Sequence, residues 1–356
     1  MTRSVVIVGA LLLASVCSVS PHAVLQAAAM PDVQRLGPQV GDHAPDFTLI
    51  DQHGQSRRLT SLTGPKGLML VFYRSADWCP YCKTQLAELQ TQTAALGQRG
   101  IGLAAVSYDS VAVLADFSKR RSITFPLLSD PGSTTIKRYG ILNSTIPETD
   151  ARSYGIPFPG TFMLDAHGVV TSRFFEQAYQ ERTTARSILA RRGDKLDVPA
   201  TRVTSPQIEI TSFTTDSVVA PGTHFSIVLD IQPAKDVHVY APSVREYRPL
   251  TLSMHPQPGV VLRAAMYPQP EDYYYKPLDE HVPVYQRPFR VVEDVMIDAS
   301  PDAQTKLTGV RALTIEGTLE YQACTDKVCF TPKSLPLSWT VQLRALDRER
   351  ATVPAP

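Results

Sequence analysis

The chain has 356 residues, with 35 basic and 34 acidic side chains and a formal net charge of +1. That length accommodates two hydrophobic cores, and a near-neutral balance without a basic stripe argues against nucleic-acid binding. Of five cysteines, four stand as two close pairs, Cys79/Cys82 and Cys324/Cys329, a disulfide pattern that suits an oxidising compartment.

In chain order, Thr2 and Arg3 precede an apolar stretch from Val5 to Val16, then Pro21 and Ala27-Ala28-Ala29. A basic start, a short apolar core and a small-residue exit predict a signal peptide over residues 1–29. The core falls short of the roughly 20 residues that span a bilayer. Val16 is bulky where a lipidation site at Cys17 wants a small residue. The expectation is an exported protein of the bacterial periplasm, with no membrane span in the mature chain.

Residues 30–194 alternate strand-like runs with helical patterns, among them Gly102–Ser107 and Val111–Arg120, which predicts a mixed α/β layer structure. Leu68–Phe72 reads as a buried strand, and a helix follows with Leu86, Leu89 and Leu96 inward and Gly97 as its stop. Between them lies Trp78-Cys79-Pro80-Tyr81-Cys82. A dithiol at a strand-to-helix turn meets the unpaired amides and partial positive charge of the helix N-terminus, which favour a thiolate. Cys79, outermost, is the expected attacking sulfur, and Cys82, one turn further in, the resolving one. The plainer alternatives are a structural disulfide or half a zinc site, and two further ligands at zinc spacing are missing nearby. Asp77 and Glu88 read as a loop charge and a solvated helix face, with a substitute for a buried proton-relay acid as the alternative for each, and Arg186, Arg191 and Arg192 read as a solvated basic face. Arg74 either supports a thiolate or faces water.

Residues 195–206, with Pro199 and Pro206, read as a linker. From 207 to 345 short alternating runs punctuated by proline predict an all-β sandwich, and 346–356 a flexible tail. Tyr321–Pro332 puts Cys324 at the end of one strand and Cys329 at the start of the next, with Thr325–Val328 as the turn. The pair is either a hairpin staple or a second redox site. Tyr273-Tyr274-Tyr275 belongs to a surface loop or core packing, with a cap over the disulfide as the alternative. His238 and His281 read as structural.

Residues 38–190 resemble the thioredoxin-like superfamily, on the branch shared by AhpC/TSA peroxiredoxins and TlpA-type reductases. The resemblance rests on Val40-Gly41-Asp42-His43-Ala44-Pro45-Asp46-Phe47-Thr48-Leu49, on the Cys79/Cys82 motif, and on Gly155–Asp165. It implies a cis Phe158–Pro159 bond facing the dithiol, with Pro159 pairing extended substrates. The peroxiredoxin pattern P-x-x-x-T-x-x-C fits neither cysteine: Ser75 and Cys79, or Phe72 and Ala76, occupy its positions, and Pro159-Gly160 replaces the late arginine. Tyr73 stands where thioredoxins carry a buried acid. Residues 205–342 resemble the N-terminal domain of DsbD-type thiol:disulfide interchange proteins, through Tyr321-Gln322-Ala323-Cys324, Cys329–Pro332 and His238-Val239-Tyr240. That resemblance implies an immunoglobulin-like fold in which Cys324 and Cys329 relay electrons between thioredoxin-like partners.

The expected fold is therefore an α/β thioredoxin-like domain followed by an immunoglobulin-like sandwich. The expected function is thiol:disulfide oxidoreduction without a cofactor, favouring reduction and isomerisation. Cys79, Cys82, Trp78, Pro80 and Pro159 form the site, and Cys324/Cys329 passes electrons to or from Cys79/Cys82. Expected partners are disulfide-containing periplasmic proteins and a thioredoxin-like or membrane electron donor. A thiol peroxidase is the enzymatic rival. A metal carrier or assembly chaperone is the non-enzymatic one, for which His43, His53 and His167 are the candidate histidines.

Overall fold

The computed structural model describes residues 30–352; the signal peptide expected at 1–29, with Cys17, lies outside them. From Asp32 onward the chain forms one compact unit with two lobes.

The first lobe contains strands β1 (Thr48–Asp51), β2 (Ser56–Arg58), β3 (Leu68–Phe72), β4 (Gly102–Ser107), β5 (Leu127–Ser129), β6 (Gly160–Leu164) and β7 (Val170–Phe175). Helices α1 (Leu59–Leu62), α2 (Pro80–Gln98), α3 (Val111–Arg121) and α4 (Thr134–Arg138) are interleaved with them. The sheet order is β2-β1-β5-β4-β3-β6-β7, with β3, β4 and β5 parallel and β6 and β7 antiparallel at one edge. Both faces of β3 are covered, so it reads as an unbroken apolar run. Met69 and Val71 join a core with Leu86 and Leu89 of α2 and Phe117 of α3, while Leu68, Leu70 and Phe72 join the opposite core with Leu59 and Ile136. Helix α2 begins with Cys79 as its N-cap and Pro80 in its first turn, where a missing N–H costs nothing. It runs past Gly97 to Gln98, and Gly100, at φ +72°, supplies the left-handed turn.

Strand β8 (Arg182–Thr183) and helix α5 (Ala185–Arg191) lead into the second lobe, whose strands are β9 (Thr201–Thr204), β10 (Ile208–Thr214), β11 (Val218–Val219), β12 (Thr223–Pro233), β13 (His238–Tyr240), β14 (Thr251–Met254) and β15 (Val260–Leu262). They continue with β16 (Glu271–Tyr275), β17 (Glu280–Tyr285), β18 (Phe289–Ile297), β19 (Ala312–Tyr321), β20 (Ala323–Cys324) and β21 (Lys333–Leu343), with one short helix, α6 (Pro301–Lys306). One sheet runs β15-β18-β12-β10-β9, a second β11-β21-β19-β14, and a third β16-β17-β13-β20. Inward residues of the first two, such as Ile210, Phe225, Ile227, Ile315, Leu319 and Trp339, share one core. The result is the expected thioredoxin-like lobe followed by an immunoglobulin-like β lobe.

The lobes are joined more intimately than a linker would allow. Strand β8, counted by sequence with the first domain, pairs in parallel with β12. Residues 195–206 include β9, paired with β10, and Leu196 and Val198 pack on Ala190, Phe213 and Val228. The described part of the expected flexible tail, residues 346–352, is held together with the end of the last strand. Arg344 donates to the carbonyl of Thr84, Asp347 pairs with Arg121 at 2.7 Å, and Arg350 pairs with Asp77. Charge pairing with the first lobe fixes this strap, a contact that no local pattern in residues 346–356 announces.

Candidate active site

The dithiol turn is assembled from β3, α2 and β8. Cys79 and Cys82 form a disulfide, with Cα atoms 5.3 Å apart. The Cys82 amide donates to Cys79 Sγ at 3.3 Å, which is the N-cap interaction of α2 with sulfur as acceptor. The Arg74 amide donates to Cys82 Sγ at 3.4 Å. Both cysteines are buried, at 1 % and 0 % exposure.

An arginine does reach the dithiol, although not from the position sequence comparison suggested. Arg182 of β8 donates from Nη2 to Cys82 Sγ at 3.2 Å. Its other bonds go to the carbonyls of Tyr179 and Glu181. Burial first, and the Arg74 charge second, push its pKa down to about 9, so it remains a cation at neutral pH. Among the described residues no carboxylate lies within ion-pair distance of it. Arg74 itself stacks between the rings of Trp78 and Tyr179, at 4.7 and 4.3 Å from their centroids. Trp78 donates from its indole to Tyr108 Oη at 2.8 Å.

Asp109 and Asp77 contact the turn and Glu88 lies further along α2, each in surroundings that differ from the main sequence reading. Asp109 accepts from Ser75 Oγ, the Ala76 amide and Ser107 Oγ at 2.8, 2.6 and 2.9 Å. Burial raises its pKa to about 6 against the pull of those bonds. Its only sequence signal is Ser107-Tyr108-Asp109 at the end of β4. Asp77 is no free loop charge: it accepts from the Ala351 amide at 2.7 Å and pairs with Arg350. Glu88 is not on a solvated face but buried between the lobes. Burial, then the field of Asp216, raises its pKa. The second lobe covers that helix face, which a helical pattern alone leaves looking exposed.

Pro159 directly precedes β6, and its peptide bond is not in the expected cis isomer. Phe72 of β3 pairs with Gly160 of β6, and that register sets Pro159 opposite Tyr73, beside the dithiol turn. The described residues contain no cis peptide bond. The Phe158 amide donates to the carbonyl of Ile141 at 2.7 Å, and Pro157 bridges Leu142. The chain thus runs extended through Phe158–Pro159 into β6, in the isomer that X–Pro bonds ordinarily favour.

The second pair is also a disulfide, its Cα atoms 4.1 Å apart. Cys324 is buried and Cys329 exposed. Tyr240 donates to Cys324 Sγ at 3.2 Å and stacks on Tyr247 with centroids 4.3 Å apart. Tyr273 belongs to strand β16 rather than a loop, lies against His238 at 4.5 Å and bonds Asp326. The tyrosines line the cleft around the disulfide together with Leu278 and Val328.

The structure does not bring the two pairs together. Arg182, on Cys82, pairs with Thr223 at the start of β12. That strand continues for 11 residues to Pro233, about 33 Å at 3.3 Å per residue. Only beyond Pro233 does the chain reach His238, the partner of Cys324. Strands β19 and β21 measure the same span: Arg344 touches Thr84 at one end, and Tyr321 pairs with Lys333 at the other, just before Cys324. The pairs occupy opposite ends of the β lobe.

Of the candidate histidines for a metal carrier, none clusters with a cysteine among the described residues. The one group of suitable ligand atoms there is Glu176, Glu181 and His224. Arg263 contacts both of its carboxylates, at 3.3 and 3.2 Å, supplying the positive charge from within the protein.

Residues 40–173 match the AhpC/TSA family, and residues 209–336 match the N-terminal domain of the thiol:disulfide interchange protein DsbD. A putative peroxiredoxin, bcp, of Coxiella burnetii is 30% identical over 138 residues, which is 38% of this chain and 86% of that protein. The thiol-disulfide oxidoreductase ResA of Bacillus cereus is 26% identical over 133 residues, 37% of this chain and 67% of that protein. The crystal structure of peroxidoxin BcpB from Mycobacterium tuberculosis covers 40% of this chain and 89% of its own, at 25% identity and a TM-score of 0.36. The chain is a thiol-based oxidoreductase that belongs to the AhpC/TSA family and carries a DsbD N-terminal-type domain behind it.

Proposed function

We propose that the protein is a thiol:disulfide oxidoreductase of the bacterial periplasm, with Cys79 and Cys82 as its exchanging pair. The observation that carries this reading is the disulfide at the N-terminus of α2, with an amide on each sulfur. Helix-terminal amides stabilise the thiolate released when the pair is reduced. In the reducing direction Cys79 attacks a client disulfide, and Cys82 then displaces the client from the mixed disulfide. Trp78 and Pro80 shape the turn, and Pro159 stands opposite Tyr73 beside it. The DsbD-type domain and the paired cysteines support the compartment, and Cys324/Cys329 is a second exchange site. Its partner is a thioredoxin-like or membrane-bound donor.

A second reading is favoured by Arg182. A guanidinium on Cys82 Sγ is suited to a peroxidase in which Cys82 becomes the sulfenic acid and Cys79 resolves it. Stopped-flow oxidation of the reduced protein separates the two. Peroxide reacting with Cys82 orders of magnitude faster than with a free thiol establishes the peroxidase. A slow peroxide reaction, with rapid reduction of a disulfide-bonded client that is lost in Cys79→Ser, establishes the oxidoreductase.

A further inference from the structure

Disulfide exchange needs sulfurs in contact, and a bridge forms only between cysteines whose Cα atoms lie within about 7 Å. The length of β12 alone keeps the two pairs of one chain several times further apart than this. Distance would not matter if the lobes swung on a loose tether, because tethering raises effective concentration whenever the linker can span the gap. Here the tether is itself structured. The segment between the lobes contains β9, hydrogen-bonded into the sheet. Strand β12 is paired with β10 over residues 227–233 and with β18 over residues 224–231, which makes it a stiff spacer. The junction is pinned by several independent contacts. Strand β8 pairs with β12, Thr184 donates to Asp216 at 2.7 Å, Arg290 donates to the carbonyl of Asp194 at 2.9 Å, and the strap returns to Asp77.

We propose that the two cysteine pairs of one chain do not exchange with each other, and that Cys324–Cys329 exchanges only in trans, with a separate protein presenting an exposed dithiol. This rests on reading the second pair as a redox site. In the oxidised chain both cysteines of the first pair are buried. The far end of the lobe is open by contrast. Cys329 is exposed, and Val328 and Leu278 beside it are 55% and 64% exposed.

The step balances as follows. The partner's thiolate attacks the sulfur of Cys329, forming an intermolecular disulfide and breaking the Cys324–Cys329 bond. Cys324 leaves as a thiolate beneath the Tyr240 hydroxyl and takes a proton. The partner's second thiol, losing its proton, attacks the partner's own first sulfur and frees Cys329, which takes up that proton. Two electrons and two protons pass from the partner dithiol to the pair.

Two measurements on the full chain, each in a Cys17→Ser background, test this. In Cys82→Ser/Cys324→Ser, Cys79 and Cys329 are the free thiols, and dilute protein is treated with diamide. The expected result is no Cys79–Cys329 peptide by mass spectrometry. An intrachain crosslink forming independently of protein concentration overturns the proposal. In the second, reduced thioredoxin, as the exposed-dithiol probe, is mixed with the oxidised chain, and alkylation of Cys324 and Cys329 is followed. Rates should be second order and agree within twofold between the chain with all four cysteines and Cys79→Ser/Cys82→Ser. A loss of more than tenfold without the first pair overturns the proposal. A pair that thioredoxin leaves oxidised in both chains is a staple. That outcome ends the redox reading of the second pair, and with it the proposal, whatever the crosslinking shows.

Discussion

Arg182 Nη2 and Cys82 Sγ lie 3.2 Å apart although 100 residues separate them in sequence. Glu181 and Glu176 act on this buried guanidinium from beyond ion-pair distance, and a Cys82 thiolate would be a counter-charge in direct contact with it. Whichever way electrons flow, this makes Cys82 the better leaving group when Cys79 is attacked, and the more ionised resolving thiol afterwards.

Replacing Arg182 should therefore act on Cys82 chemistry more than on folding. A charge-assisted hydrogen bond contributes about 1.5–3 kcal/mol. Arg182→Gln should raise the Cys82 thiol pKa and slow its alkylation at pH 7 by roughly 10- to 100-fold, with Arg182→Lys intermediate. The pH dependence of iodoacetamide alkylation in a Cys79→Ser background measures this. Unchanged profiles in both variants would remove Arg182 from the mechanism.

The strap that covers the turn should govern access. A chain ending at Leu346 loses the bonds of Asp347, Arg350 and Ala351 to the first lobe and uncovers Asp77 and Lys83. Local closure of about 1.4 kcal/mol corresponds to tenfold in opening. Alkylation of reduced Cys79 should accelerate roughly tenfold, with the midpoint of thermal unfolding lowered by only a few degrees. Equal alkylation rates in both chains would show that the strap is not the barrier.

The junction should loosen as pH rises. Burial alone would lower the His224 pKa, but hydrogen bonds to Asp294 and Glu181 outweigh it and carry the value up to about 9. The folded chain then holds a proton that the unfolded chain releases near 6.5. Its stabilisation is complete below about pH 6.5 and is lost as pH rises through 9, amounting to at most about 3 kcal/mol. Glu176, Arg191 and Arg263 also face this group. Glu88, its pKa also raised, contributes a fall of the same sign beginning at lower pH. The readout is therefore the difference between His224→Gln and the parent. Urea midpoints at pH 6, 7.5 and 9 should converge towards alkaline pH, and parallel curves would refute the assignment.

At the far end of the β lobe, Tyr240→Phe removes the donor to Cys324 while keeping the ring that stacks on Tyr247. A net hydrogen bond of about 0.5–1.5 kcal/mol corresponds to roughly 10–30 mV for a two-electron couple. Because the hydroxyl favours the Cys324 thiolate, the variant's second pair should become that much harder to reduce. Equilibration with glutathione buffers, read by alkylation of Cys324 and Cys329, checks the shift and its sign.

What the sequence discloses follows the range of the interactions involved. The strand Leu68–Phe72, the turn Trp78–Cys82 and the helix after it are local patterns, and they fold as read. The Cys324/Cys329 hairpin is equally local. Arg182 was invisible because it reaches Cys82 only through the pairing of β8 with β12, and one residue of register would point it elsewhere. Glu88 looked solvated because the surface covering it arrives from Asp216 and Arg344. Asp77 and the strap were misread for the same reason, since their partners lie 273 and 274 residues away.

Lys83 and Glu349 are hydrogen-bonded across 266 residues of chain, and this bears on the order in which the molecule can be built. Contacts between such remote segments repay their loop-closure entropy only late in folding. The first lobe can collapse around β3 and α2 by itself, but its dithiol turn stays uncapped until the strands of the second lobe have paired and the strap has returned. During that interval Cys79 and Cys82 are at their most reactive, beside newly made and still unpaired cysteines. Oxidation of the first pair before the strap closes would keep the turn from forming wrong bridges with Cys324 or Cys329.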